Sequence, residues 1–205
     1  MEVVVAAIVV VFIGIMGFKA VQAYPGYKGS LYQQLFSGYL EYFWKYTMKE
    51  NLSQSSLLTA ELGEHRLTYN AYFDSKGTPV AQFTTVFSLG GHTSICAMHT
   101  SGAVSGADTG SWSVERDGKR FALASPVSYI RKQRKFLDGF LKGKPVAYVV
   151  AFDDGVDLSG VSCSYPVMHV SEVVAYLKSR AEEGVTEHDV LQAFDSFKER
   201  AQHAR

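Results

Sequence analysis

Between Val3 and Phe18 the chain reads VVVAAIVVVFIGIMGF, without one charged or strongly polar side chain. A helix on the surface of a soluble domain carries a polar stripe, and this run has none. It is therefore read as a membrane-spanning helix. At ~1.5 Å per residue the run alone falls somewhat short of a ~30 Å hydrocarbon core. It reaches if Lys19 snorkels and Ala20, Val21 and Ala23 carry the helix on to Tyr24 at the interface. Pro25-Gly26 is expected to break it there. The expected organisation is an anchor over 3–23, a linker over 24–30 and one domain over 31–205.

A cleaved signal peptide is the rival reading, because Val21-Gln22-Ala23 resembles a small-residue cleavage site. Such a peptide wants positive charge ahead of its apolar run, and only Glu2 precedes this one. Lys19, Lys28 and Lys45 follow it. The positive-inside rule then places the C-terminal body in the cytoplasm, giving a single-pass inner-membrane protein.

With 205 residues, 47% of them hydrophobic and 20% charged, the remainder has the makings of one globular core. Twenty basic residues balance twenty acidic ones, so net charge selects no class of partner. Cys96 and Cys163 lie in apolar segments without CxxC spacing and read as two buried, reduced thiols.

Leu31 to Leu52 is expected as one amphipathic helix, with Leu31, Leu35, Tyr39, Tyr42, Phe43 and Tyr46 at three- and four-residue spacings. Strand periodicity begins at His65. Leu67-Thr-Tyr-Asn-Ala-Tyr-Phe73 leads into the turn Asp74-Ser-Lys-Gly77, then a strand over Pro79 to Phe87. After Gly90-Gly91 a third strand covers Thr93 to His99. Thr100 to Ser113, small and polar, is expected as a surface loop, either bland or an adaptable contact surface. Asp117-Gly118 joins Trp112–Val114 to Arg120–Leu123 as a hairpin. Pro126 opens a helix running to about Lys142. PVAYVVAF, Pro145 to Phe152, reads as a buried central strand. Asp153, Asp154 and Asp157 read as a turn, since they lack a full calcium-loop pattern. Tyr165 to His169 is a further edge strand, and two helices within 171–203 follow, capped by Ser171 and Thr186. The order implies an α/β domain, a mixed sheet flanked by helices.

From Gln82 to Leu158 the chain resembles the NERD (nuclease-related) domain, a branch of the PD-(D/E)XK nuclease-like fold. The resemblance rests on Gln82-Phe-Thr-Thr-Val86, Gly90-Gly91, Ile95-Cys-Ala-Met-His99, Gly102-Ala-Val-Ser-Gly106, Trp112, Ser125-Pro-Val-Ser-Tyr129 and Val149-Val-Ala-Phe152, in the family's order. It implies a restriction-endonuclease-like core. The departures fall on the chemistry. The family's metal-binding Asp corresponds to Thr84, its Glu to Ala97, its Lys to His99 and the Gln of its helix start to Tyr129.

In that fold, acidic groups on adjacent strands hold a divalent metal that activates water. Threonine and alanine supply no anionic oxygen, and His99, with no carboxylate neighbour, has no metal to serve. Glu41, Glu61 and Glu64 lie upstream as a thin basis for a rebuilt site. The expectation is therefore a domain without catalysis, metal or cofactor: a membrane-tethered interaction or regulatory module with a membrane-protein partner. Through the family, its expected setting is DNA transfer, as an accessory or entry-exclusion protein of a bacterial conjugation apparatus. A metal-dependent nuclease with a rearranged site is the alternative.

A further reading comes from charge. Arg116, Lys119, Arg120, Arg131, Lys132, Arg134, Lys135, Lys142 and Lys144 meet only Asp117 and Asp138 within their segment. Arg131, Lys132, Arg134 and Lys135 fall on the helix from Pro126, opposite its apolar face. They form a solvated face balanced by the acidic C-terminal helices, or bind anionic lipid or the backbone of nucleic acid.

Overall fold

A computed structural model describes residues 1–48, 52–141, 144–180 and 185–203. The N-terminal run is a single helix, α1 (Glu2–Tyr27), whose apolar side chains stand exposed along its length. Contrary to expectation, Pro25 does not end it. In the last turn a proline forfeits one backbone bond, to Val21, and nothing further along the helix depends on that bond. The helix stops at Lys28, whose N–H still donates to the Tyr24 carbonyl at 3.0 Å while its own backbone turns extended.

The single helix expected over Leu31 to Leu52 is instead two, α2 (Leu31–Leu35) and α3 (Tyr39–Met48), and residues 49–51 lie outside the described residues. Phe36 takes an extended conformation and is buried, and the Ser37 N–H and hydroxyl both donate to Glu41, each at 2.8 Å. These bonds start a new helix where apolar spacing alone suggests continuity. A further helix, α4 (Ser56–Leu62), has no counterpart in the sequence expectation. Ser55 caps it by accepting from the Leu58 N–H, and Gly63 ends it at a φ of 75°.

Among the described residues nine strands follow in two sheets, where one sheet was expected. The larger has the order β1 (His65–Phe73), β2 (Pro79–Ser88), β3 (Gly91–Met98), β7 (Val146–Phe152), β9 (Val167–His169). Its first three strands form the expected antiparallel meander, while β7 and β9 add in parallel. The second runs β6 (Lys119–Leu123), β5 (Trp112–Arg116), β4 (Ala103–Ala107), β8 (Asp157–Ser162). The Asp117-Gly118 hairpin joins β5 to β6, with both residues at positive φ as its tight turn demands.

The segment expected as a surface loop contains β4, an inner strand with Val104 buried. Its small residues make room for Trp112. A Cβ at Gly106 would lie 2.2 Å from the indole ring. The indole stacks on Phe152 with ring centroids 6.3 Å apart and donates to the Ala107 carbonyl at 2.9 Å. Of the three aspartates read as a turn, Asp157 belongs instead to the start of β8.

Alternate residues of the larger sheet serve two cores. On one face Phe83, Phe87, Cys96 and Val150 meet α5 (Pro126–Leu141), α7 (Glu187–His203) and the second sheet. On the other Leu67, Val86, Ile95 and Ala151 meet α2, Tyr42 of α3 and α6 (Val173–Ser179). Pro126 opens α5 as expected, while the end anticipated at Lys142 lies outside the described residues. Thr186 and Asp189 exchange bonds at the start of α7: the Thr186 N–H donates at 3.0 Å and the Asp189 N–H at 3.2 Å. Ser171 does not cap α6. It sits in a 3-10 turn (Val170–Glu172) with its hydroxyl given to Asp154 at 2.7 Å, and the Glu172 carboxylate receives the His169 N–H. Both cysteines are free; Cys96 is buried and Cys163 only half-buried.

Candidate functional site

Thr84 on β2 and Ala97 on β3 both turn toward the α2 side of the larger sheet, and both are buried. Together with His99, just past the end of β3, they line a cavity of about 350 Å3 whose walls also include Tyr32, Tyr69 and Gln82. The positions matched to the nuclease pattern on the strands thus do converge on one place. A second, larger cleft of about 660 Å3 adjoins it, lined by Lys28, Tyr42, Tyr46, Asp153 and Asp154. Ser30, Tyr32, Gln82 and His99 line both.

The parallel pairing of β3 with β7 creates the polar feature here. Met98 stands opposite Phe152, the last pair in that ladder. The next residue on each strand is His99 and Asp153, so the two strands deliver an imidazole and a carboxylate to the same level. His99 Nδ1 donates to Asp153 at 2.9 Å, and the other carboxylate oxygen accepts the Thr100 N–H at 3.0 Å. This corrects the expectation that His99 lacks a carboxylate neighbour: Asp153 is distant in sequence and adjacent in space. The hydrogen bond to Asp153, helped by the carboxylate's charge, raises the imidazole pKa above the ordinary histidine value against the opposing effect of burial. The cleft opens at the carboxyl ends of parallel strands, where open α/β sheets place their ligands. An acidic residue directly after an apolar central strand was the available signal for Asp153.

Asp154, beside it, accepts from the Ser171 N–H at 3.2 Å and the Ser171 hydroxyl. Among the described residues no group of three or more His, Cys, Asp or Glu side chains is arranged to hold a metal ion. The upstream acids are engaged elsewhere. Glu41 ties α3 to α4, Glu61 pairs with Lys178, and Glu64 pairs with Arg66. None of the three lines either cavity.

Tyr129 is not part of this site. It lies on α5, across the sheet, with its ring 5.7 Å from that of Tyr72 and the Lys132 ammonium 4.9 Å from its centroid. The basic residues of α5 do stand exposed, as its apolar spacing requires. Arg131 donates to the Asp108 carbonyl at 3.3 Å, Arg134 lies 3.8 Å from Asp138, and Lys135 projects from the same helix. Lys144 is held away from this face, 2.8 Å from Asp189 on α7. Lys142 lies outside the described residues.

α1 meets the domain next to the larger cleft. Its last turn and the residues just after it (Pro25, Gly26, Lys28 and Gly29) form part of the cleft wall, and its tyrosines pack on α3. Eighteen consecutive residues of the helix from Val4 to Tyr27 reach a mean hydropathy of 2.6, and the helix has the length to cross a membrane. No protein-family model matches this chain, and no curated protein or solved structure matches it.

Proposed function

We propose that the protein is a membrane-anchored, nuclease-like α/β domain that does not cut nucleic acid and that engages a partner protein of the same membrane through the cleft at the ends of β3 and β7. The NERD-like motif order and the restriction-endonuclease-like core belong to this proposal, as does a cytoplasmic body on the inner membrane. So does a setting in bacterial conjugation, as an accessory or entry-exclusion protein.

One observation carries the reading. The strand positions that would grip a divalent cation present a hydroxyl and a methyl group, while the larger cleft beside them is walled partly by the end of the anchor helix itself. Mg²⁺ demands anionic oxygens, and Thr84 and Ala97 offer none. A cleft built partly from the anchor is presented at the bilayer, where a membrane partner is confined. Confinement raises effective concentration, so a small and weak interface suffices.

Two measurements test this. A photoreactive side chain at Lys28, exposed on the cleft wall, is expected to form a discrete adduct with one membrane protein in native membranes, and the same group at Lys135 is not. Supercoiled plasmid incubated with the full chain and Mg²⁺ or Mn²⁺ is expected to stay intact. Nicking that disappears in His99→Ala and Asp153→Asn would replace the proposal with the rearranged nuclease, a reading favoured by the pairing of those two residues.

The adaptor reading rests on α5. That helix packs on the face of the larger sheet opposite α2 and α3, which adjoin the anchor. The arrangement leaves nucleic acid as a more accessible anionic partner for Arg131, Lys132, Arg134 and Lys135 than the bilayer the anchor occupies. Such binding would be blind to sequence and steeply weakened by salt.

A further inference from the structure

We infer that α3 lies in the interfacial layer of the bilayer that α1 crosses, with Leu40 and Trp44 turned toward the acyl boundary. The inference rests on α1 as a membrane span and is independent of what binds in the cleft.

The first ground is where α3 meets α1. The Tyr39 hydroxyl donates to the Ala20 carbonyl, the Tyr24 ring meets that of Tyr39 edge-on at 5.2 Å, and Tyr27 lies 5.2 Å from Tyr42. The first turn of α3 therefore sits alongside the last two turns of α1, not beyond them. From Ala20 to Tyr27 is about 10 Å of helix axis at the standard rise.

The second ground is length. The apolar helix from Val4 up to the residue before Ala20 covers only ~24 Å, against a hydrocarbon core of ~30 Å. To fill that thickness the bilayer must draw in the turns beyond Lys19, which are the turns flanked by α3. Tyr24 and Tyr39 then fall at the level where amphipathic rings collect.

The third is what α3 leaves uncovered. Tyr42 and Phe43 are buried in the domain, but Leu40 is 79% and Trp44 50% exposed. One turn apart, they share a face. On α1 itself, beside the turns that α3 meets, Phe18 and Val21 are exposed as well. Lys28, exposed just after α1, supplies a cation at the headgroup level.

The test uses intrinsic fluorescence of the full chain reconstituted in phosphatidylcholine–phosphatidylglycerol vesicles. The chain has two tryptophans, and Trp112 is buried against Phe152 beyond reach of either quencher used here. The Trp44 signal is the difference between the native chain and Trp44→Phe. Lipids brominated near the carbonyl end of their chains are expected to remove most of the Trp44 emission, which is blue-shifted and resists aqueous iodide. Leu40→Glu is expected to shift that emission to the red. Quenching of Trp44 by iodide and not by brominated lipid overturns the inference. Alkaline extraction separates the two failures. A chain that is extracted sinks the span and the inference together, whereas a retained chain with water-exposed Trp44 sinks the inference alone.

Discussion

His99 and Asp153 occupy matching positions one step beyond the last paired residues of two parallel strands, and their side chains meet at 2.9 Å. The bond and the charge of Asp153 raise the His99 pKa, with burial opposing. Such a pair adds stability that is fully present below the unfolded histidine pKa and is lost as pH rises through the higher folded value. Asp153→Asn removes the cause and leaves the burial. The His99 pKa is then expected to fall below the ordinary value of 6.5. Titration of its ring-proton resonance measures this, and an unchanged midpoint would mean the pair is not formed.

His92 carries the opposite sign. It is buried at the start of β3, its Nδ1 has no hydrogen-bond partner among the described residues, and its ring lies 5.2 Å from Phe87. Burial, reinforced by Lys144, depresses its pKa from 6.5 to about 4. The unfolded chain then binds a proton that the folded chain refuses. This contribution to stability is intact above 6.5 and drains away as pH falls toward about 4. Denaturation between neutral pH and pH 4 is expected to show a loss of roughly 2–3 kcal/mol from this residue. In His92→Gln that part of the slope disappears. An equally steep acid limb in the variant would refute the assignment.

What was legible in the sequence was local. The meander, the Asp117-Gly118 hairpin, the central strand ending at Phe152 and the Pro126 helix start each announce themselves within a few residues. The Thr186–Asp189 box does the same. What escaped depends on partners far along the chain. β4 shows no apolar alternation, because its one glycine, Gly106, answers to Trp112 on the neighbouring strand. β8, reading DLSGVS, is mostly exposed and has no apolar face to betray it. The break between α2 and α3 is made by Ser37 reaching Glu41, which competes with a spacing that favours one helix. Thr84, Ala97 and His99 were placed together by motif order, but the carboxylate that gives His99 its chemistry lies 54 residues away and is brought in by strand register.

The Trp112 account makes a sharp prediction at Gly106. A methyl group there meets the indole at 2.2 Å, and the indole is pinned by Phe152 and by its bond to Ala107. Gly106→Ala is therefore expected to cost about 1–3 kcal/mol, the usual range for overpacking a filled core. Chemical denaturation of the full chain in detergent, followed by Trp112 emission in a Trp44→Phe background, reads the change. Gly110 has no atom near an added Cβ but a positive φ, so Gly110→Ala is expected to cost about 1 kcal/mol through backbone strain alone. A free exchange at Gly106 would mean that β4 is not seated under the indole.

Glu41 separates a structural carboxylate from a catalytic one. It accepts from the Ser56 N–H at 2.7 Å, the Ser37 N–H at 2.8 Å and both serine hydroxyls, and Lys45 lies 3.2 Å away. Burial alone would push its pKa up, but these bonds outweigh it and hold the group down at about 2, against an ordinary 4.5. A depressed pKa stabilises the fold fully above the unfolded value, and the contribution is lost as pH falls through the folded one. Glu41→Gln turns an amide NH2 toward donors that need an acceptor. At neutral pH it is expected to cost about 2–3 kcal/mol, in line with the loss of charge-assisted bonds. The gap from the native chain should narrow between pH 4.5 and about 2 as the native carboxylate takes up its proton. If Glu41 instead belonged to a metal site, the stability cost would be small and added Mn²⁺ would stabilise the native chain but not the variant. Thermal denaturation with and without Mn²⁺ decides between these, because a carboxylate saturated by two serines and a lysine has no lone pairs free for a cation.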